Sequence, residues 1–480
     1  MRSSASRGLP PSRAWVVGAG PNGLAGAVEL ARGGLPVTVL EAAEEIGGGT
    51  RTSELTVPGV LHDHCSAFHP MAMASPFMRS LDLARHGLEW RWPEVDLAHP
   101  LDDASAGIMV RSVDATAEGL GADGSAWKRL FGSPSEHFES LLPDLMQPMA
   151  HVPRHPLRLT RFGLPALAPA TLVMRAWKGE QAKALFGGVA AHALSPLSNP
   201  LSASVGMALT CAGHAFGWPV ARGGSRAITD ALAAELRERG GTIETGRRVS
   251  SLDELPRGDV ILLDLSPGRV ADLAGARLDA RVARAYRAYK HGPAAFKVDF
   301  AVEGGVPWTN PEARRAGTVH AAGSFAEIVA VEAQINRGRM PEQPFVLVGQ
   351  QYLADPERSA GDVHPVWAYA HVPNGWTGDA TQALIGQIER FAPGFRERII
   401  AQVTRGPAEF EDYNANVVGG DIIGGANTPL QIVVRPRVSV RPYATGIPGV
   451  FICSASTPPG AGAHGMCGHN AARAALSKLA

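Results

Sequence analysis

The sequence has no charge of its own to spend: 45 Lys+Arg stand against 45 Asp+Glu, and charged residues make up only 19% of the 480 positions. A balanced chain is not held to nucleic acid by bulk positive charge. With 45% hydrophobic residues it also lacks the low-hydrophobicity, high-charge composition of a disordered chain. Cysteine is scarce. Cys65, Cys211, Cys453 and Cys467 form no C-x-x-C pair and no Cys/His set with zinc-ligand spacing, so neither redox-dithiol chemistry nor a structural zinc is expected. Scattered free thiols suit a reducing, cytoplasmic setting. The Ser/Arg/Pro-rich run Met1 to Arg13 has no apolar stretch and reads as a short tail, not a secretory signal. No uninterrupted apolar run is long enough to span a membrane. The nearest, between Lys183 and Arg222, lacks Asp, Glu, Lys and Arg but is broken by Ser195-Pro196-Leu197-Ser198-Asn199-Pro200. It reads as a buried apolar region, suited to lining a pocket for an oily ligand.

Glycine, by contrast, is abundant: 55 residues, about 11%, against a usual ~7%. It has no collagen-like period, so it belongs to turns and close backbone approaches. The first such site follows a short apolar run, Ala14-Trp15-Val16-Val17. Gly18-Ala19-Gly20-Pro21-Asn22-Gly23 comes next, then a helical pattern to Arg32, a second apolar run Pro36–Leu40, and Glu41. Strand, glycine turn, helix, strand and acid together make a dinucleotide-binding unit. Gly18 permits the turn, Gly20 admits a pyrophosphate, Gly23 lets the helix pack on the strand, and Glu41 can accept hydrogen bonds from a ribose. The free N–H groups and positive dipole end of the helix face the phosphates. A second match, Gly460-Ala461-Gly462-Ala463-His464-Gly465, lies too near the end of the sequence for a helix and strand to follow, so it cannot open such a unit. The acid admits NAD or FAD and argues against a 2′-phosphate.

Gly47-Gly48-Gly49-Thr50-Arg51-Thr52 follows at once. The string from Val16 to Thr52 resembles the flavin monooxygenase/amine oxidase/phytoene desaturase superfamily. By that resemblance the cofactor is FAD, held by Gly18, Gly20, Pro21, Asn22, Gly23, Glu41, Ala42, Gly48, Gly49, Thr50, Arg51 and Thr52. Arg51 would lie near the pyrophosphate and the Gly47–Gly49 run near the flavin. The block Gly223-Gly224-Ser225, the amphipathic helix Ala227–Leu236, the expected strands at 242–245 and 248–250, and the apolar run to Asp264 resemble the return of the chain to the FAD domain. There Val249 would meet the adenine. The carboxy-terminal strand Val450–Cys453 with its loop and helix resembles the phytoene dehydrogenase-like branch, and this implies that Ser456, Gly462, His464, Gly465 and Met466 approach the flavin. Gly419-Gly420-Asp421-Ile422 belongs to the same likeness. Where carotene desaturases show G-F-G-G and G-G-R-A, this chain has Pro21-Asn22-Gly23 and Gly48-Gly49-Thr50-Arg51. It is more similar to the broader group that includes pyridine nucleotide-disulphide oxidoreductase domain-containing protein 2.

The expected fold is α/β: a Rossmann-type FAD domain from 1–95, 216–272 and 434–480, interleaved with an α+β substrate domain from 96–215 and 273–433. Candidate catalytic side chains are His69, His464 and Asp421, because a histidine or carboxylate beside a flavin can move a proton or hold charge. His62, His64, Cys65 and His69 lie close in sequence, but their spacing supplies no metal set, and no metal is expected. Residues 151–183 carry Arg154, Arg158, Arg161, Arg175, Lys178 and Lys183 against Glu180 alone. This segment is either a solvated face or a contact for an anionic membrane surface. The implied activity is flavin-dependent dehydrogenation, saturation or isomerisation of a largely apolar substrate, with oxygen or a quinone as electron acceptor. Two alternatives stand beside it. A flavin amine oxidase ranks lower because only Tyr443 and Phe451 are aromatic beyond Asn414. A non-catalytic lipid carrier, like the Rab GDP-dissociation inhibitors, is opposed by the intact glycine loop, Glu41 and Arg51.

Overall fold

The computed structural model describes residues 13–479, so all but the last residue of the amino-terminal tail lies outside the described residues. A five-stranded parallel sheet is ordered Val450–Ile452, Val260–Leu263, Ala14–Val17, Val37–Leu40, Thr242–Glu244. Its three central strands are apolar nearly throughout because both faces are covered, as parallel strands require. The helix Pro21–Arg32 packs against one face and against the final helix, Met466–Leu476. Gly468 makes that pairing possible: a Cβ there would lie 1.7 Å from the carbonyl oxygen of Asn22.

Residues 248–250 are not a strand. They run unpaired beyond Thr242–Glu244, because the edge of the sheet is reached there and the backbone instead follows Glu41, whose carbonyl accepts from Arg247 N–H at 2.8 Å. The sheet strands come from 14–40, 242–263 and 450–452.

A second sheet of seven strands comes from 95–109 and 294–405, ordered Ile399–Arg405, Ala294–Glu303, Val363–Val372, Val346–Gly349, Ala316–Ala321, Val95–Pro100, Ala106–Met109. All its pairs are antiparallel except Val95–Pro100 with Ala316–Ala321. Side chains alternate across it with period two. Val298, Phe300, Val348, Val366 and Ala368 face a core closed by Leu384, Ile385 and Ile388 of the helix Thr381–Phe391. The opposite set, Lys297, Thr318, Leu347, Trp367 and Tyr369, faces a cavity. Gly349 leaves room for one of them, since a Cβ there would lie 2.3 Å from Nε1 of Trp367. The helices Pro156–Leu167 and Ala203–Phe216 contribute walls to the same cavity. None of the described helices is long and apolar enough to cross a membrane.

A buried ion network ties the short strand pair Thr52–Glu54/Leu61–Asp63 to the turn Pro356–Arg358. Arg358, fully buried, pairs with Asp63 and with Asp355, 2.9 Å from its Nε, and donates from Nη2 to the carbonyl of Ala221 at 2.5 Å. Asp63 also accepts from Ser225 N–H at 2.6 Å and from the Thr52 hydroxyl at 2.7 Å.

Candidate functional site

One cavity of about 1620 Å³ runs from the carboxyl ends of the parallel strands to the floor of the larger sheet, the place where open α/β sheets bind ligands. At its first end the glycine loop leaves the strand Ala14–Val17 with Gly18 at φ 105°, in the left-handed region that favours glycine. Gly18, Gly20, Pro21 and Asn22 line the cavity. The helix Pro21–Arg32 has no side-chain cap at its amino end, and the buried Oδ1 of Asn22 has no hydrogen-bond partner. An uncapped helix start beside an unsatisfied amide is a cradle for phosphate oxygens. Glu41 is held facing this end by Ala19 N–H at 2.7 Å and Ala43 N–H at 2.9 Å, and the remaining acceptor sites of its carboxylate suit ribose hydroxyls. Ala42, Gly48, Gly49, Thr50 and Val249 line the same end. Arg51 does too, its Nη2 donating to the Glu45 carbonyl at 2.7 Å and lying 3.8 Å from Glu41. The residues present therefore fit a dinucleotide of the FAD type.

Four residues expected at the cofactor stand behind the wall instead. Gly23 packs under the loop, where a Cβ would lie 2.0 Å from the carbonyl oxygen of Gly18. The hydroxyl of Thr52 is engaged by Asp63. Gly465, at φ 69°, starts the final helix against Ala25, and Met466 is buried behind it. These positions are adjacent in sequence to lining residues, but the turn of the backbone carries them inward.

The three candidate catalytic residues all line the cavity, and each is held by neighbours. Nδ1 of His464 accepts from Met466 N–H at 3.0 Å and its Nε2 donates to the Ala461 carbonyl at 3.2 Å, so both nitrogens serve its own loop. Burial pushes this imidazole down to about 4, which keeps it neutral. Asp421 accepts from Gly292 N–H and His291 at 3.1 Å and from Ile423 N–H at 3.0 Å, tying three segments together. His69 bonds Ser225 Oγ through Nε2 at 2.7 Å, and burial lowers it to about 4. His62 and His64 turn to Thr56 and Ser53, so the histidines of that stretch do not converge on one point. Ser456 and Gly462 line the cavity.

Four residues that sequence reasoning missed are brought to the cavity by the fold. Asp264, at the end of Val260–Leu263, accepts from Gly23 N–H at 2.8 Å and lies beneath Gly18, Gly20 and Gly23. Its apolar run was recognisable; its place under a loop 240 residues away in sequence was not. Lys297, buried on the sheet floor, donates to the Asp63 carbonyl at 3.0 Å and pairs with Asp299. Trp367 and Tyr369 stack nearly parallel, centroids 5.7 Å apart. Alternation along a strand was the only local signal for these, and it cannot say which face is the cavity.

Burial raises Asp264 from 3.8 to about 7, with the nearby Glu41 adding to the rise against the Gly23 hydrogen bond. The folded chain thus keeps a proton that the unfolded chain has lost, and stability falls as pH rises from about 4 to 7. Asp264→Asn keeps an acceptor for Gly23 and removes the titration. Relative to wild type, it should gain roughly 3 kcal/mol between pH 5 and pH 8. Urea unfolding at both pH values checks this, and an unchanged difference would remove the assignment.

Comparison with known proteins agrees with this geometry. Residues 16–82 match the family model described as an NAD(P)-binding Rossmann-like domain. The mouse pyridine nucleotide-disulfide oxidoreductase domain-containing protein 2 is 22% identical over 557 aligned residues, covering 98% of this chain and 94% of the mouse protein. A crystal structure of an oxidoreductase from Methanosarcina mazei superposes with a TM-score of 0.64 at 14% identity, over 97% of this chain and 100% of that one. Putrescine oxidase bound to putrescine superposes with a TM-score of 0.59 at 15% identity, over 98% of each chain. The chain has a mixed α/β fold with a Rossmann-like domain, shared over nearly its whole length with these oxidoreductases.

Proposed function

We propose that this chain is an FAD-dependent oxidoreductase acting on a largely apolar, lipid- or polyene-like substrate. The observation that carries this reading is the continuity of one cavity from the glycine loop and Glu41 to an arm lined by Leu145, Met146, Leu159, Phe162, Leu194 and Leu209. Bound FAD would supply hydride transfer to or from a substrate C–H at flavin N5, with oxygen or a quinone as the outside acceptor. The protein's part is positional. The first helix and Glu41 hold the dinucleotide, Lys297 offers a buried cation on the sheet floor, and the apolar arm excludes water and aligns the chain of the substrate. The free cysteines Cys65, Cys211, Cys453 and Cys467 give no support to disulphide chemistry.

A membrane contact through 151–183 belongs to the same proposal. Val152, Leu157 and Leu164 are exposed, at 90%, 87% and 68%, among the arginines of that segment, and Leu164 also lines the cavity. An oily substrate could then enter without crossing water. Co-sedimentation with phosphatidylglycerol-rich vesicles at low salt should retain the protein, and should fail with Val152→Asp/Leu157→Asp.

A flavin amine oxidase is the second reading. It is favoured by the Trp367–Tyr369 stack on the cavity wall and by the likeness to putrescine oxidase. The purified protein should be yellow, with a flavin spectrum that bleaches anaerobically with long-chain alcohols or polyenes and not with an amine panel. Rapid bleaching by amines reverses the order; a colourless protein that takes up no FAD favours a carrier.

A further inference from the structure

Taking a cation out of water is costly unless a partner of opposite sign goes with it. Among the described residues three Arg or Lys side chains are buried: Arg358, Lys297 and Arg435. Arg358 is held between Asp63 and Asp355, and Lys297 pairs with Asp299. Arg435, 4% exposed, pairs with no carboxylate of the described residues. Its Nε donates to the Gln431 carbonyl at 3.2 Å and its Nη2 to Oδ1 of Asn427 at 2.8 Å, and both acceptors are neutral. The remaining N–H groups, both on Nη1 and the second on Nη2, are left over. Neighbouring side chains do not balance the charge. Burial pushes the Cys467 thiol up to about 12 and raises the Tyr289 phenol, so both are neutral. The carboxylate of Asp421 is taken by Gly292 N–H, His291 and Ile423 N–H.

This guanidinium lines the cavity, as do Asn427, Ile432 and Val433 beside it. Its free nitrogen lies over Gly460, where a Cβ would come within 3.0 Å of Nη1, so the glycine leaves that nitrogen uncovered. On the other side Asn427 donates from Nδ2 to the Ala193 carbonyl at 3.0 Å, and the next residue, Leu194, lines the apolar arm. The unpaired cation therefore stands where the arm meets the loop Ser456–Gly462.

We propose that Arg435 anchors a carboxylate on the substrate, so that the cavity selects a long-chain or polycyclic carboxylic acid, its charged end at Arg435 and its apolar body in the arm. A guanidinium receives a carboxylate through charge-assisted hydrogen bonds from neighbouring N–H groups. One unpaired cation is balanced by a monoanion, whereas a phosphate monoester brings nearly twice the charge. The inference rests on reading the apolar arm as the substrate site.

The test uses the protein as purified, at pH 8, with dodecanoate, methyl dodecanoate and dodecyl phosphate each displacing the apolar fluorophore N-phenyl-1-naphthylamine. Dodecanoate should bind at least about tenfold more tightly than its methyl ester, which has the same chain without the charge. Arg435→Met should bring the two within about twofold of one another, and Arg435→Lys, which keeps a cation, should retain the preference. If Arg435→Met fails to fold, wild type and Arg435→Lys still decide. Equal binding of acid and ester by wild type overturns the proposal, as does tighter binding of dodecyl phosphate than of dodecanoate. A lowered flavin midpoint potential in Arg435→Met with the dodecanoate preference intact assigns the cation to the reduced ring and also overturns it. A wild type that binds neither fluorophore nor dodecanoate defeats the arm reading and the anchor together. A colourless protein defeats the flavin reading alone, since the preference for the acid is still read by displacement.

Discussion

Gly23→Ala should yield a folded but colourless protein. The new Cβ would lie 2.0 Å from the carbonyl oxygen of Gly18 and 3.1 Å from Asp264 Oδ2. The first neighbour is backbone and cannot swing aside, so the glycine loop must move by more than an ångström. That loop carries the amides at the start of Pro21–Arg32 and the turn at Gly18. A displacement of this size separates helix dipole and amides from the phosphates they hold. We expect FAD affinity to fall at least about a hundredfold, close to 3 kcal/mol, with a smaller loss of stability. Flavin content from absorbance, set beside the melting curve with and without added FAD, measures both. Wild-type colour in the variant would show that the loop does not hold the cofactor.

Arg358→Ala has the largest expected effect on folding. The guanidinium is wholly buried and offsets both Asp63 and Asp355. Burial alone would raise the Asp63 carboxyl; Arg358, with Ser225 N–H and the Thr52 hydroxyl, overcomes this and holds it below its usual range. Removing the cation leaves two carboxylates facing each other in the interior, and breaking such a pair costs about 3–5 kcal/mol. Asp355 also receives Gly223 N–H at 2.7 Å, so the turn before the helix Arg226–Glu238 should loosen as well. A depressed carboxyl contributes stability above its unfolded pKa and loses it as pH falls through the folded value. Wild type should therefore lose stability in acid more steeply than the variant. Denaturant midpoints from pH 3 to 7 compare the two, and a shift below 1 kcal/mol at neutral pH would mean that water reaches the network.

The dinucleotide end was legible in the sequence because its chemistry is local. Gly18 to Glu41 is one strand–turn–helix–strand, and each residue acts on its near neighbours. The later parts were legible only as patterns. Val249 was placed on the cavity although its segment proved not to be a strand, because position along the chain survives an error in hydrogen bonding. Thr52, Gly465 and Met466 were expected at the cofactor and lie behind it, since a motif gives proximity in sequence and the backbone turn gives direction. Lys297, Tyr369 and Leu347 carry no local signature. They become a site through sheet register: Lys297 stands opposite Tyr369, Tyr369 opposite Leu347, and Leu347 opposite His320, one row drawn from four strands. No spacing in the sequence encodes that row.

The close contact of Gly468 with Asn22 bears on the order of assembly. The helix carrying the phosphate cradle is made early in synthesis, yet the helix it leans on and the strand Val450–Ile452 leave the ribosome after more than four hundred further residues. Until then the first helix has an uncovered apolar side and the parallel sheet an open edge, surfaces of the kind that chaperones hold. The phosphate cradle at the start of the helix Pro21–Arg32 is thus backed only once the helix Met466–Leu476 has docked on it.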